Sequence, residues 1–368
     1  MKKFLLLLLT FLLCSIPPCP VFAESRETEI ILEETLEKAR KLNTETLNFS
    51  ETTENLLSGN LSLSFKGILS TVTDILFKEI KAHLSLLIKM LVLAVLAGVL
   101  CNLQQGMPQG GISEISFLAC FSAIAGLSVT IVAGLLDLAS NTIDSLMLFI
   151  ASLMPIMTGL ITSAGQAAFA GFYPTLFLAM QAFVLICQQF FLPMITVITA
   201  LSVINAMSGR FHISRLIDVI KQIIKWGLGL LLTVFVGILS VHSFSAFAAG
   251  SVAGRTVKYA LCNFVPLVGN VLAESVEAVI SSVRLIRGAV GFAGVLALVS
   301  LCALPLLKML SVSFLYRFAA GIAEPATDQR IVRLLMDLAG NITLVVVIML
   351  MVSVMFIISI ALLCGLLF

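Results

Sequence analysis

Eight apolar runs, each long enough to cross a lipid bilayer, constrain the fold of this chain more than any other feature of its sequence. A membrane-spanning helix needs about 20 predominantly apolar residues. Runs of about this length lie at 84–103, 115–138, 146–163, 167–187, 190–207, 227–249, 288–307 and 342–364. Only Gln188 and Gln189 separate the fourth run from the fifth, so this division is the least distinct one.

The composition supports a membrane protein, because only 11% of the 368 residues are charged, against about 25% in soluble domains. In hydrocarbon, every backbone N–H and C=O group must be hydrogen-bonded within the protein, and a helix does this within one segment. The sequence therefore predicts an all-α, polytopic helical membrane protein. We expect about eight transmembrane helices in a multi-pass domain at 84–368, with an N-terminal helical arm and amphipathic or re-entrant helices.

The first 23 residues have the pattern of a secretory signal peptide. Lys2 and Lys3 precede a ten-residue apolar stretch, and Val21 and Ala23 occupy the two positions where signal peptidase requires small residues. The pattern predicts cleavage before Glu24. An uncleaved anchor is the alternative, although ten apolar residues are short for a span.

Residues 24–83 form a predicted helical arm outside the cytoplasm. Seven Lys or Arg residues stand against eleven Asp or Glu residues there, which gives a net charge of −4 and argues against nucleic-acid binding. Glu34 with Lys38 and Glu37 with Lys41 make helix-stabilising i,i+4 pairs. The arm contains no cysteine for a disulfide, so we expect it to order against partners or the membrane.

The distribution of Lys and Arg predicts which segments face the cytosol. Positive residues are enriched in cytoplasmic loops. An external arm followed by five crossings puts residues 208–226 inside, and seven crossings put 308–333 inside. These two segments carry eight basic residues, namely Arg210, Arg215, Lys221, Lys225, Lys308, Arg317, Arg330 and Arg333, against four at Arg255, Lys258, Arg284 and Arg287 on the outer side.

Residues 208–226 read as an amphipathic cytosolic linker. Isoleucines and leucines recur on one helical face, while charged side chains occupy the rest. Anchoring to anionic lipid is one interpretation. Docking of a cytosolic partner is the other, and its candidate residues are Arg215, Lys221 and Lys225.

A second amphipathic or re-entrant segment is predicted on the outer side at 256–287. Its apolar positions recur at helical spacing and a charged face accompanies them. The structural interpretation is an interfacial helix that only connects two spans. The functional interpretation is a partner-binding or conduit surface, formed by Asn263, Pro266, Gly269, Asn270, Glu274, Glu277, Arg284 and Arg287.

The sequence offers no motif for catalysis or for cofactor or metal binding. It has no GxxxxGK[ST], HExxH or GxSxG motif and no CxxC spacing, so we predict no enzyme activity, no cofactor and no metal site. Ionisable residues at membrane depth would be functional candidates. Lys89, Asp137, Asp144 and Lys308 all fall near predicted span ends, where we expect them to reach the interface. Small residues at Gly288, Gly291 and Gly294 are candidates for close helix packing.

Four stretches of this chain resemble one known family. They are LNTETL at 42–47, NFVPLVGN at 263–270, VISSVRLIRGAVG at 279–291 and KMLSVSFLYRFAAGIAEP at 308–325. Together with the signal peptide and the apolar array, they make the chain similar to stage III sporulation protein AE along its whole length.

The resemblance implies a multi-pass protein of the mother-cell membrane that faces the forespore. It also implies a place in a secretion-like channel complex needed for late forespore development and gene expression. The implied partners are a cytosolic ATPase, small membrane proteins and ring-forming proteins of the intermembrane space. A stand-alone secondary transporter and a non-conducting membrane scaffold are the alternatives. Deep ionisable residues would favour the transporter, and co-purification with a ring and an ATPase would favour the complex.

Charge reversal at Glu277 or at Arg284 is expected to impair complex assembly or passage while leaving membrane insertion intact. The expectation rests on the charged face that these residues share in the outer segment. The measurement is spore formation in the host, with membrane fractionation as the insertion control. Full function in both reversals would count against a site in this segment.

Overall fold

The computed structural model describes residues 65–104, 111–163, 172–207, 213–264 and 269–363. The predicted signal peptide and residues 24–64 of the predicted arm lie outside these ranges. The described elements are helices α1 Phe65–Gln104, α2 Gly111–Ser163, α3 Phe172–Ile186, a π-helical segment Cys187–Phe191, and then α4 Leu192–Met207, α5 Ser214–Phe264, α6 Gly269–Ala323 and α7 Gln329–Leu363. The all-α prediction is confirmed for this part of the chain.

Two pairs of predicted spans are joined into single helices. The second and third runs lie on α2, which passes through Asp137 to Leu146 without a break. No Gly or Pro interrupts that stretch, and the Thr142 and Ser145 hydroxyl groups donate to carbonyl oxygens one turn earlier, at 2.7 and 2.8 Å. The polar side chains are thereby satisfied by the helix itself, so they do not end it.

The fourth and fifth runs are joined through the π-helical segment at Cys187–Phe191. One extra residue is accommodated in the turn that contains Gln188 and Gln189, as in π-bulges generally. Phe191 packs on α5 here, because a Cβ added to Gly227 would lie 2.9 Å from its ring. Further along, the Phe183 and Phe235 rings meet edge to face with centroids 5.1 Å apart.

Five helices in the described ranges are long and apolar enough to cross a membrane, or six if the bent pair Lys78–Ser85 and Ile88–Val99 is one span. The predicted count of eight is therefore not confirmed. Both joined pairs precede residue 208, so the predicted five crossings before the linker become three if α1 is a span and two if it is not. The sides predicted for the later segments stay predictions.

Helix α7 lies at the centre of the bundle. In its most apolar stretch, 83% of the residues are buried inside the protein, against 28% for α5. Helices α6 and α7 form an antiparallel hairpin, since Cys302 contacts Ser353 and Ser313 contacts Thr343, at 3.0 Å in both cases. The turn between them contacts α1, where the Thr327 hydroxyl donates to the Ala94 carbonyl at 2.7 Å.

Replacement of Gly98 by alanine is expected to destabilise the docking of α1 on this turn. A Cβ at this position would overlap the Ala326 carbonyl and lie 2.8 Å from the Thr327 Cα, and neither backbone atom can yield easily. We expect a loss of about 1–3 kcal/mol, measured by thermal unfolding in detergent. Gly237→Ala is the control, because no atom lies within 4 Å of its added Cβ. Equal unfolding temperatures for the two variants would contradict this packing.

Candidate functional site

Polar side chains converge on the first half of α7, the helix that is otherwise the most apolar and the most buried. Asp337 and Asn341 are one turn apart on α7, and Thr199, Ser202 and Asn205 recur at three-residue spacing on α4. Helical periodicity places each set on one face. We call the convergent groups the polar layer, which consists of Asp337, Asn341 and Thr343 of α7 with Thr199, Ser202, Lys221, Ser313 and Arg317 of its neighbours.

Asn341 is the most buried member of the polar layer, with no exposed surface. Its side-chain nitrogen lies 3.4 Å from both the Thr199 and the Ser202 hydroxyl oxygens. Those hydroxyl groups donate to the Ile195 and Ile198 carbonyls at 2.8 and 2.9 Å, so their oxygens accept from the amide. Asn341 Oδ1 is buried and has no hydrogen-bond partner among the described residues. The layer thus offers a spare acceptor inside the bundle, a costly arrangement for a purely structural core.

An ion pair closes the polar layer at the end of the bundle. Lys221 Nζ of α5 lies 3.7 Å from Asp337 Oδ1 of α7, and the two side chains are 15% and 29% exposed. The absence of a side chain at Gly340 leaves room for the ammonium group of Lys221. A Cβ added to Gly340 would lie 3.8 Å from Lys221 Nζ. The contact joins the predicted cytosolic linker to the start of α7. Arg215 and Lys225, the other two docking candidates, are exposed on α5.

Arg317 of α6 completes the layer on the opposite side of α7. Its guanidinium donates to the Thr343 hydroxyl at 2.9 Å, and that hydroxyl lies 3.0 Å from Ser313. Both hydroxyl groups also reach the Ala339 carbonyl, at 2.8 Å from Thr343 and 3.1 Å from Ser313. Side chains of α4, α5 and α6 are therefore fastened to one stretch of α7 by hydrogen bonds and charge.

A second polar contact lies deeper, where the π-helical segment meets α2. Gln188 Nε2 donates to Asp144 Oδ1 at 2.8 Å and approaches the Ser140 carbonyl at 3.3 Å. Two contacts fix the level of Gln188 along α7. After Gln188 in the chain, Thr199 contacts Asn341, and before it, Met180 lines a small apolar cavity together with Phe356. Gln188 and Asp144 therefore lie level with the apolar middle of α7, between residues 341 and 356.

Three ionisable residues that were expected near span ends lie within continuous helices, and their position relative to the membrane interface stays a prediction. Asp137 and Asp144 were expected beside a hairpin, but α2 is continuous there. Lys308 was expected just beyond a span, but it lies inside α6, between Cys302 and Ser313, which contact Ser353 and Thr343. Because hydropathy windows marked span ends that the chain does not make, these residues lie at the depth of the apolar bundle.

The predicted outer segment at 256–287 is divided between two long helices. Asn263 lies near the end of α5, and Gly269 opens α6, while Pro266 falls between the described ranges. Asn270, Glu274, Glu277 and Arg284 lie on α6, and their side chains are outside the described part of the structure. Arg287 is half-buried. The segment is thus divided between the end of α5 and the start of α6 and is not a separate helix, and its role as a site stays a prediction.

The three packing glycines lie on the next two turns of α6. Gly291 and Gly294 are buried, and a Cβ on Gly294 would lie 3.4 Å from Leu153 of α2 and 3.6 Å from Ile360 of α7. Gly288 is half-buried, with no atom within 4 Å of an added Cβ. Close approach of three helices therefore depends on Gly294 more than on Gly288.

Sequence reasoning missed most of the polar layer. It selected charged residues at predicted boundaries, whereas Thr199, Ser202, Asn341 and Thr343 are uncharged and lie within or beside apolar runs. A usable signal was present: Asp337 and Asn341 are spaced i,i+4 directly before the most apolar run, which puts both on one face. Among the described residues, no three His, Cys, Asp or Glu side chains are close enough to hold a metal ion.

Comparisons with known proteins agree with each other. Residues 47–366 match the family described as stage III sporulation protein AE. Stage III sporulation protein AE of Bacillus subtilis (strain 168) is 27% identical over 304 residues, which cover 82% of this chain and 76% of that protein. No solved structure matches the chain.

Removal of either partner of the Lys221–Asp337 pair is expected to destabilise the bundle, and removal of both is expected to restore part of the loss. Because both side chains are only partly exposed, we expect a coupling of about 1 kcal/mol between Lys221→Met and Asp337→Leu. The measurement is a double-mutant cycle of unfolding free energies in detergent. Lys225→Met, which removes an exposed charge on the same helix, should be additive with Asp337→Leu. Additivity of both lysine variants would show that the ion pair contributes nothing.

Proposed function

Because the chain belongs to the stage III sporulation protein AE family, we propose that it is an integral membrane component of a channel complex linking mother cell and forespore during endospore formation. The complex would be needed for late forespore development and gene expression. The chain would lie in the mother-cell membrane that faces the forespore, with its N-terminal arm outside the cytoplasm.

The observation that carries this proposal is the polar layer on the central helix. A membrane scaffold needs no spare acceptor in its core, and apolar side chains would pack there without the cost of burying polar groups. Asn341 instead places a fully buried polar group inside the bundle, and Asp337 places a carboxylate one turn earlier at its end, on the helix that several others contact. Such a layer supports a bundle whose helices adjust during passage of a substrate.

The partners we propose lie on both sides of the membrane. A cytosolic ATPase is proposed because membership of the family implies one, and exposed Arg215 and Lys225 offer it a basic surface beside the polar layer. Small membrane proteins would share the membrane with this chain. Ring-forming intermembrane proteins would meet the outer side, where the start of α6 carries Glu274 and Glu277.

A stand-alone secondary transporter is the second candidate, and one observation favours it. Asp137, Asp144 and Lys308 lie at the depth of the apolar bundle, where ionisable side chains often mark ion or substrate pathways. Gln188 donates a hydrogen bond to the Asp144 carboxylate, which is also consistent with a structural role for Asp144.

Deletion of the gene in its host, with complementation, tests the proposal. We expect normal vegetative growth, followed by small forespores that fail to express a late forespore-specific reporter. Normal spores with a nutrient-dependent growth defect would overturn the proposal in favour of the transporter.

Complementation with Asn341→Leu separates conduit from scaffold. The substitution keeps a similar volume and leaves the Thr199 and Ser202 bonds to their own helix intact, so stability should change by less than about 1 kcal/mol. We expect a folded protein that restores fewer spores than Leu230→Ala, a control on an exposed apolar face. Full sporulation with Asn341→Leu would favour a non-conducting scaffold.

A further inference from the structure

The exposed faces of α5 and α2 differ in a way that indicates different surroundings. On α5, large apolar side chains recur at helical spacing and are 48–74% exposed, namely Leu216, Val219, Ile223, Trp226, Leu230 and Val234. Lipid tails solvate such side chains well, so this face suits contact with the bilayer. It provides a reference within the same protein for a lipid-facing surface.

The corresponding face of α2 is small and polar. Exposed residues at helical spacing over five turns are Gly126, Thr130, Gly134, Asp137, Asn141 and Asp144, which we call the α2 polar face. Leu127 and Val129 flank it, and Leu148 follows it. A Cβ on Gly126 or Gly134 would meet no atom within 4 Å. No described contact within the chain therefore requires these residues to be small.

The level of the α2 polar face along the apolar bundle disfavours hydrocarbon as its surroundings. Asp144 lies level with the apolar middle of α7 through its bond to Gln188, and Asp137 lies two turns away on the same helix. An Asp at the centre of a spanning helix costs about 2.5–3.5 kcal/mol on insertion scales. Small residues beside polar ones are the composition by which membrane helices approach closely and hydrogen-bond across an interface.

We propose that the α2 polar face packs against a second copy of this chain. The chain itself carries a suitable donor at the required depth, because Gln189 is exposed and directly follows Gln188. Copies that insert with the same orientation present equivalent residues at the same depth. The Gln189 amide of one copy donates to the oxygens of Asp137 or Asn141 in the other, and Gly126 and Gly134 allow the backbones to approach.

A pair of glycine variants tests the packing with full-length protein. Gly134→Leu should fit within a single copy but block close approach of another, and it should raise the Kd for self-association by about tenfold or more. Gly229→Leu is the matched control, because Gly229 is exposed on the apolar face of α5 with no atom within 4 Å of an added Cβ. The readouts are oligomer mass after mild detergent extraction and, for folding, helix content and unfolding temperature. Unchanged association in Gly134→Leu would overturn the proposal.

Photo-crosslinking in native membranes identifies the neighbour independently of sporulation. A photoreactive amino acid at Asn141 should join two differently tagged copies, with cross-linked peptides near Gln189, while the same probe at Leu230 should join none. Cross-links from Asn141 only to another membrane protein, or only to lipid, would overturn the proposal. So would reaction of an Asn141→Cys variant with a charged thiol reagent in the assembled state, which would indicate a water-filled passage instead.

Discussion

The bundle is organised around α7, because 83% of the residues in its most apolar stretch are buried inside the protein. Lipid would also accommodate an apolar helix, so this enclosure reflects close packing between helices, and α2, α3, α4, α5 and α6 supply the neighbours. Helix α6, which directly precedes α7 in the chain, forms the hairpin with it, and the others pack around this hairpin. The polar layer is the exception that this enclosure permits, because Asn341 finds hydroxyl oxygens on α4 and Asp337 finds an ammonium group on α5.

Apolar composition was sufficient to predict helices, but not to predict where the chain reverses. A hydropathy window responds to polar residues such as Asp137 or Gln188 as if they ended a span. Helix termination instead requires backbone groups to lose their partners, usually at Gly or Pro. Neither residue occurs between Asp137 and Leu146, and the hydroxyl side chains there bond back to the helix. The predicted sides stay predictions, because they depend on whether the bent helix α1 crosses the membrane.

The candidate site was less predictable than the fold, because its members become neighbours only through packing. Charge counting found Lys221 but not its partner Asp337, which is 116 positions away in the sequence. Thr199 and Asn341 are still further apart and uncharged. Spacing on one helix can place residues on a common face, yet the choice of the opposing helix depends on the shape of the assembled bundle. The start of α6, selected on charge, stays a prediction.

The π-helical segment sets the rotation of one half of a long helical rod relative to the other. Each residue turns an α-helix by about 100°, so the extra residue within Cys187–Phe191 sets the direction in which everything after it points. Loss of one residue there would return the rod to regular winding and rotate Thr199, Ser202 and Asn205 away from α7. The extra residue thus allows the Gln188 contact with Asp144 and the polar layer further along to form on the same rod, and a change of length in this turn would disrupt one of them.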